Sequence, residues 1–129
     1  MSTDSTTITT RTDRGSAVVT VVGDLDPYTA LAFRMRLTAL AAAVDGDVVC
    51  DLTAVTFFDS TSIGVLVGAV KATCARSQRR QLRVVACSDP VRKSLKVTGL
   101  DQVMPVHETL TAALDASASA PTPVKDTSP

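Results

Sequence analysis

Tryptophan is absent, histidine and glutamate each occur once (His107 and Glu108), and aromatic residues make up only 3% of the chain. General acid–base catalysis and metal binding draw mostly on His, Glu and clustered Cys. So thin a stock argues against an enzyme: no catalytic residue, metal ligand or cofactor is expected. The cysteines, Cys50, Cys74 and Cys87, are odd in number and far apart, with no C-x-x-C pair. That spacing suits neither a disulfide framework nor a zinc site. They are expected to be small buried apolar residues, with Cys50 and Cys87 each at a strand. Charge of one sign is missing too: 13 basic residues balance 13 acidic ones. A protein that neutralises phosphate backbones would show a basic excess, so no direct nucleic-acid partner is expected. No apolar run approaches the roughly 20 residues needed to span a bilayer. Residues 1–7 have neither a basic start nor an apolar core, so no secretory signal is visible. The expectation is a soluble, cytoplasmic protein without a membrane partner.

What is present is hydrophobic patterning, at 45% of the chain, enough for one domain with a real core. Residues 8–12 read as a short strand before the turn Asp13-Arg14-Gly15. Residues 17–22 are β-branched and read as a buried strand ending at Gly23. After the polar loop 23–27, apolar residues at 30, 33, 37, 40, 41 and 44 predict a helix over 28–44, started by Asp26 and Pro27. A strand over 48–52, a lead-out over 53–58 and a helix over 62–76 follow. That helix would face inward with Ile63, Leu66, Val67, Val70 and Cys74. Its Gly64 and Gly68 each cost about 1 kcal/mol relative to alanine, which suggests close packing against the sheet or a partner. Residues 82–86 read as a strand, and Ser88-Asp89-Pro90 opens a helix that stops at Gly99, a left-handed cap. Residues 102–106 read as a last edge strand and 109–116 as a closing helix. The basic residues Arg76, Arg79, Arg80, Arg83, Arg92, Lys93 and Lys96 read as a solvated helix face.

The order β-β-α-β-α-β-α-β-α predicts an α/β domain. Its centre would be a mostly parallel mixed sheet of about five strands, with four helices. The domain would cover 8–117, between a flexible N-terminus (1–7) and a disordered tail (118–129). In such sheets the functional loops sit at the carboxyl ends of the strands. Two loops qualify, 23–27 and 56–62.

The second loop reads Phe58-Asp59-Ser60-Thr61-Ser62, three hydroxyls behind an aspartate at a helix start. Such residues cap helices, and they also suit a phosphorylation or anion site, because a helix N-terminus carries unpaired N–H groups. The stretch from Asp51 to Gly68 (DLTAVTFFDSTSIGVLVG) resembles the signature of STAS domains, and of bacterial anti-sigma factor antagonists in particular. Gly23-Asp24-Leu25-Asp26 is similar to that family's first loop. Val97-Thr98-Gly99-Leu100-Asp101, with Val103, Pro105 and Val106, is similar to its C-terminal pattern.

The resemblance implies a single STAS-like domain that acts as a partner switch in stress signalling. The unphosphorylated antagonist binds an anti-sigma factor that is also a serine/threonine kinase, and the sigma factor is released. The kinase phosphorylates the serine after the aspartate, here Ser60, with Thr61 and Ser62 as weaker candidates. A PP2C-type metal-dependent phosphatase reverses the step. Partner contacts would come from Asp24, Asp26, Asp59, Ser60, Thr61, Ser62 and Val65. The family usually carries glycine at the place of Ser62, where serine is expected to adopt an ordinary first-turn helical conformation.

Rival chemistries fit less well. A phospho-receiver using Asp51 or Asp59 would need a lysine near the last strand, and Met104-Pro105-Val106-His107 supplies none. A serine hydrolase would want Gly-x-Ser-x-Gly around Ser60, which lacks both glycines, and His107 would be its only base. The remaining alternative keeps the fold: a STAS interaction module of a signalling complex, not regulated by phosphorylation.

Overall fold

The computed structural model describes residues 6–44, 46–76 and 80–119. Five strands form one sheet in the order β1-β2-β3-β4-β5: Thr7–Asp13, Ser16–Leu25, Val48–Phe58, Leu82–Val85 and Val106–His107. β1 runs antiparallel to β2 and the other neighbours are parallel, so the sheet is mixed and mostly parallel. Four α-helices connect or follow the strands: α1 (Pro27–Ala43), α2 (Ser60–Arg76), α3 (Asp89–Val97) and α4 (Leu110–Ser119).

Strand alternation divides the apolar residues between two faces. Val19, Val21, Val48, Cys50, Leu52 and Val84 pack against Phe33 and Leu37 of α1, Leu66 of α2 and Leu95 of α3. Val18, Val49 and Val85 point the other way and meet Ala113 and Leu114 of α4. Each fully buried Leu or Phe contributes about 1.5–3 kcal/mol. The first face therefore carries most of the hydrophobic stabilisation.

Several elements depart from the sequence expectation. β2 does not end at Gly23, and residues 53–58 are strand. Gly23↔Val55 and Leu25↔Phe58 continue the β2–β3 ladder, with register shifts on both sides of Gly23. Gly23 takes φ 111°, which a side chain would resist, and so absorbs the irregularity. β3 leaves β4 after Asp51↔Val85 and β2 leaves β1 after Val22↔Thr7, so from Gly23↔Val55 onward β2 and β3 project as a two-stranded arm. The expected strand over 102–106 is a 3-10 turn at Leu100–Gln102 and an edge strand of Val106–His107 only. Gly99 is left-handed as expected, with φ 79°, and the turn it starts drives Met104 into the core, leaving little chain to pair. α2 starts at Ser60, and its buried residues are Ser62, Val65, Leu66 and Thr73. Of the expected inward stripe, Leu66 is buried and Ile63, Val67 and Val70 pack half-buried against the core, whereas Cys74 is exposed. Cys87 is exposed as well, because it follows the buried Ala86 just past β4; only Cys50 is core.

The basic cluster is not simply a solvated face. Arg83 (6% exposed) pairs with Asp47 (8% exposed), Nε to Oδ2 at 2.9 Å. Arg80 is buried too, donating to the carbonyls of Gly46 at 2.9 Å and Ala41 at 3.0 Å near the end of α1. A cation there meets the negative end of the helix. At the N-terminus, Thr6 and Thr7 are held rather than loose: Thr7 opens β1, and the Thr6 hydroxyl donates to the Asp24 carbonyl at 2.7 Å. α4 continues past 117 to Ser119, and the rest of the expected tail, 120–129, lies outside the described residues. Among the described residues no helix is long and apolar enough to cross a membrane.

Candidate functional site

The arm made by β2 and β3 ends in two helix starts, and both are capped by aspartate. Asp26 caps α1: its Oδ1 accepts from Tyr28 N at 3.0 Å and Thr29 N at 2.8 Å, while Thr29 Oγ1 accepts from Asp26 N at 3.0 Å. This reciprocal capping box satisfies otherwise orphaned donors. The Thr29 N–H bond is the main reason that the Asp26 carboxyl lies below its ordinary pKa; the Thr29 hydroxyl and the Tyr28 N–H add to it. The Asp-x-x-Thr spacing was readable in the sequence, although Thr29 was not singled out there.

Asp59 does the same for α2. Its Oδ1 accepts from Thr61 N at 3.1 Å and Ser62 N at 3.2 Å, and its carbonyl accepts from Ile63 N at 3.1 Å. Two of the N–H groups expected to be open at this helix start are therefore occupied. Ser60, the first helical residue, is exposed, as is Thr61. Ser62 is different: it is 0% exposed, and its hydroxyl donates to the Leu25 carbonyl at 3.1 Å, pinning α2 to the end of β2. Serine sits there inside an ordinary helix without positive φ. Val65 is also buried, lining a groove between α1 and α2 with Pro27 and Thr61.

Asp24 is exposed near the tip of β2 and tightly held. Its carbonyl accepts from Thr29 Oγ1 at 2.8 Å as well as from Thr6, and its carboxylate accepts from the Thr56 hydroxyl on β3. Thr6, Thr29 and Thr56 are the site residues that the sequence did not single out. Their signal is only a hydroxyl, and its meaning depends on cross-strand register. Asp24, Asp26 and Asp59 bring three carboxylates to one end of the molecule. Among the described residues none of them forms an ion pair. The described residues hold no cluster of three His, Cys, Asp or Glu side chains that could bind a metal. His107 stands apart, half-buried at the sheet edge, with Nε2 3.2 Å from Arg83 Nη1. Burial, and then the Arg83 charge, lowers its pKa from the ordinary 6.5.

A family model described as STAS domain matches residues 7–113. The chain belongs to the STAS domain family. Its relatives agree. The anti-sigma-B factor antagonist of Staphylococcus aureus is 32% identical over 90 residues, 70% of this chain and 82% of that protein. The protein of the same name from Listeria monocytogenes is 31% identical over 86 residues, 67% of this chain and 74% of that one. Among solved structures, an anti-sigma factor antagonist from Mycobacterium paratuberculosis superposes with a TM-score of 0.81. It is 31% identical, covering 88% of this chain and 94% of that one. The five-stranded mixed sheet with four helices, which the order of elements predicted, is thus a STAS fold, as the motif resemblance implied.

Proposed function

We propose that this STAS domain is an anti-sigma factor antagonist of the cytoplasm whose binding is switched off by phosphorylation at Ser60. Unphosphorylated, it binds an anti-sigma factor with serine kinase activity and so releases a sigma factor; a PP2C-type phosphatase restores the binding form. The observation that carries the reading is the division of labour at the start of α2. Asp59 takes the N–H groups, Ser62 is buried as a tether, and Ser60 presents a hydroxyl to solvent at the end of the molecule that also carries the braced carboxylate of Asp24. Thr61 is the second exposed hydroxyl and the secondary candidate. Likeness to named anti-sigma factor antagonists at 31–32% identity supports the same reading.

A phosphate on Ser60 places about −1.5 to −2 charges next to Asp59, at the end of the molecule that also carries Asp24. A partner docked over that loop must strip water from a dianion in an already acidic setting, which is expensive unless a cation awaits it. The test is incubation of the protein with the candidate anti-sigma kinases of its source genome and ATP, read by peptide mass spectrometry. Phosphate at Ser60, lost in Ser60→Ala, is expected. Wild-type phosphate levels at Thr61 or Ser62 in Ser60→Ala would refute the assignment. Tight, unmodified complexes with every kinase would favour an interaction module without a phosphorylation switch.

A further inference from the structure

Gly64 and Gly68 lie one turn apart on the exposed side of α2, and a Cβ built on either meets nothing within 4 Å. Glycine inside a helix is unfavourable, and here nothing within the protein requires it. The open surface at Gly64 belongs to the groove between α1 and α2, about 390 Å³ in volume, lined also by Pro27, Leu31, Arg34, Thr61 and Val65, and Gly68 continues the bare side of α2 one turn further on. The α1 wall is apolar and wet: Leu31 is 52% exposed, with Tyr28 (86%) and Met35 (64%) one turn to either side. Arg34 is the cation of the groove, and no hydrogen bond or ion pair holds it among the described residues. Neither α1 nor α2 contains a single Asp or Glu, so neither helix neutralises it.

We propose that this groove seats an amphipathic helix of the partner protein, one that sets leucine-like side chains on Leu31 and Met35 and a carboxylate on Arg34. The proposal deepens the reading above and rests on it for placing the partner at Ser60, since Thr61 lines the mouth of the groove. Each element has a physical reason. Bare glycine backbone lets a second helix come close, and helices pack at 8–10 Å depending on the side chains between them. Exposed apolar residues spaced by a helical turn match the anchors of a helix-in-groove contact. An unpaired arginine flanked by apolar surface selects a carboxylate and rejects a cation. A membrane surface fits less well, because lipid-binding segments gather four or more cations in one cluster, and α1 (Arg34, Arg36) and α2 (Lys71, Arg76) carry two each.

The test is independent of any kinase. The full chain, labelled with ¹⁵N, is titrated with a stapled helix of about 18 residues bearing a leucine stripe flanked by glutamates, and with its lysine-flanked counterpart. Amide shifts are expected at Leu31, Arg34, Gly64 and Gly68, with the lysine peptide binding about tenfold more weakly. Arg34→Glu should reverse that preference. Gly64→Leu should abolish binding, and Gly64→Ala should melt no lower than wild type, showing that the position tolerates a side chain. Shifts that avoid the groove, binding indifferent to Arg34→Glu, or preference for phosphatidylglycerol vesicles over the glutamate peptide would each overturn the proposal. The peptide titration uses the unphosphorylated protein and requires no phosphate at Ser60. A failed kinase assay with intact peptide binding therefore sinks the switch and spares the groove, and the converse pattern does the opposite.

Discussion

Thr56 on β3 donates its hydroxyl hydrogen to the carboxylate of Asp24 on β2, across the two-stranded arm that carries both helix starts. The bond holds an exposed acid in one orientation before any partner arrives. Thr29 and Thr6 hold the same residue by its carbonyl. Recognition surfaces built this way lose less side-chain freedom on binding.

Thr56→Val should therefore weaken anti-sigma binding while changing stability by no more than about 1 kcal/mol, the worth of an ordinary hydrogen bond. Asp24→Ala should weaken it further. Titration calorimetry paired with thermal melts separates the two effects. Wild-type affinity in both variants would move the recognition surface away from this arm.

Phosphorylation of Ser60 should act on binding and leave the fold nearly untouched. The N–H groups of Thr61 and Ser62 are already satisfied by Asp59, so a phosphate gains little from the helix end and meets a like charge beside it. Thermal melts of the modified and unmodified protein are expected to agree within a few degrees. Ser60→Asp should bind weakly and Ser60→Ala constitutively. A fall of about ten degrees or more, which in a domain of this size corresponds to more than 1 kcal/mol, would show instead that phosphate acts through unfolding.

The buried pair Asp47–Arg83 makes a sharper stability prediction. Asp47 also accepts from Gln81 N at 3.0 Å, so its loss strands two donors. Asp47→Ala should cost about 3–5 kcal/mol, the penalty of leaving a buried charge alone. The double variant Asp47→Leu with Arg83→Met should be more stable than Asp47→Ala, because no uncompensated charge remains. Urea unfolding of the three proteins decides it.

His107 should make stability fall in mild acid. Its folded-state pKa is lowered, first by burial and then by Arg83, so the unfolded chain binds the proton more readily. The neutral ring's contribution is complete above the ordinary 6.5 and is lost as pH falls through the folded value. Urea midpoints followed downward from pH 8 should decline before the carboxylates titrate, and His107→Gln should flatten that decline. An equally steep curve in the variant would assign the effect elsewhere.

Thiol reactivity should sort the cysteines by place. Cys50 is fully buried in β3, and burial followed by the neighbouring Asp51 charge raises its pKa well above the ordinary range. Cys74 and Cys87 are exposed. A thiol reagent should label those two in the native protein and Cys50 only after denaturation. Intact mass should be the same with and without reductant; a difference of two hydrogens would reveal a disulfide.

The order of elements, the helix over α1 and the left-handed Gly99 were legible in the sequence, because local chemistry sets them. Apolar residues four apart, an aspartate before a proline and a glycine after a helix act within a few residues of chain. The Asp59-Ser60 motif was legible for the same reason. The tertiary structure alone decided which hydroxyl is free. Ser60, Thr61 and Ser62 look alike in sequence, but only Ser62 comes within reach of the Leu25 carbonyl, 37 positions away. The length of the β2–β3 arm was hidden too, since Gly23 and Asp24 look like a loop until Val55 and Phe57 pair with them. Arg80 and Arg83 looked solvated until Asp47 and the carbonyl end of α1 closed around them. In each case the partner is distant along the chain, and burial or a hydrogen bond to a distant residue leaves no periodicity behind.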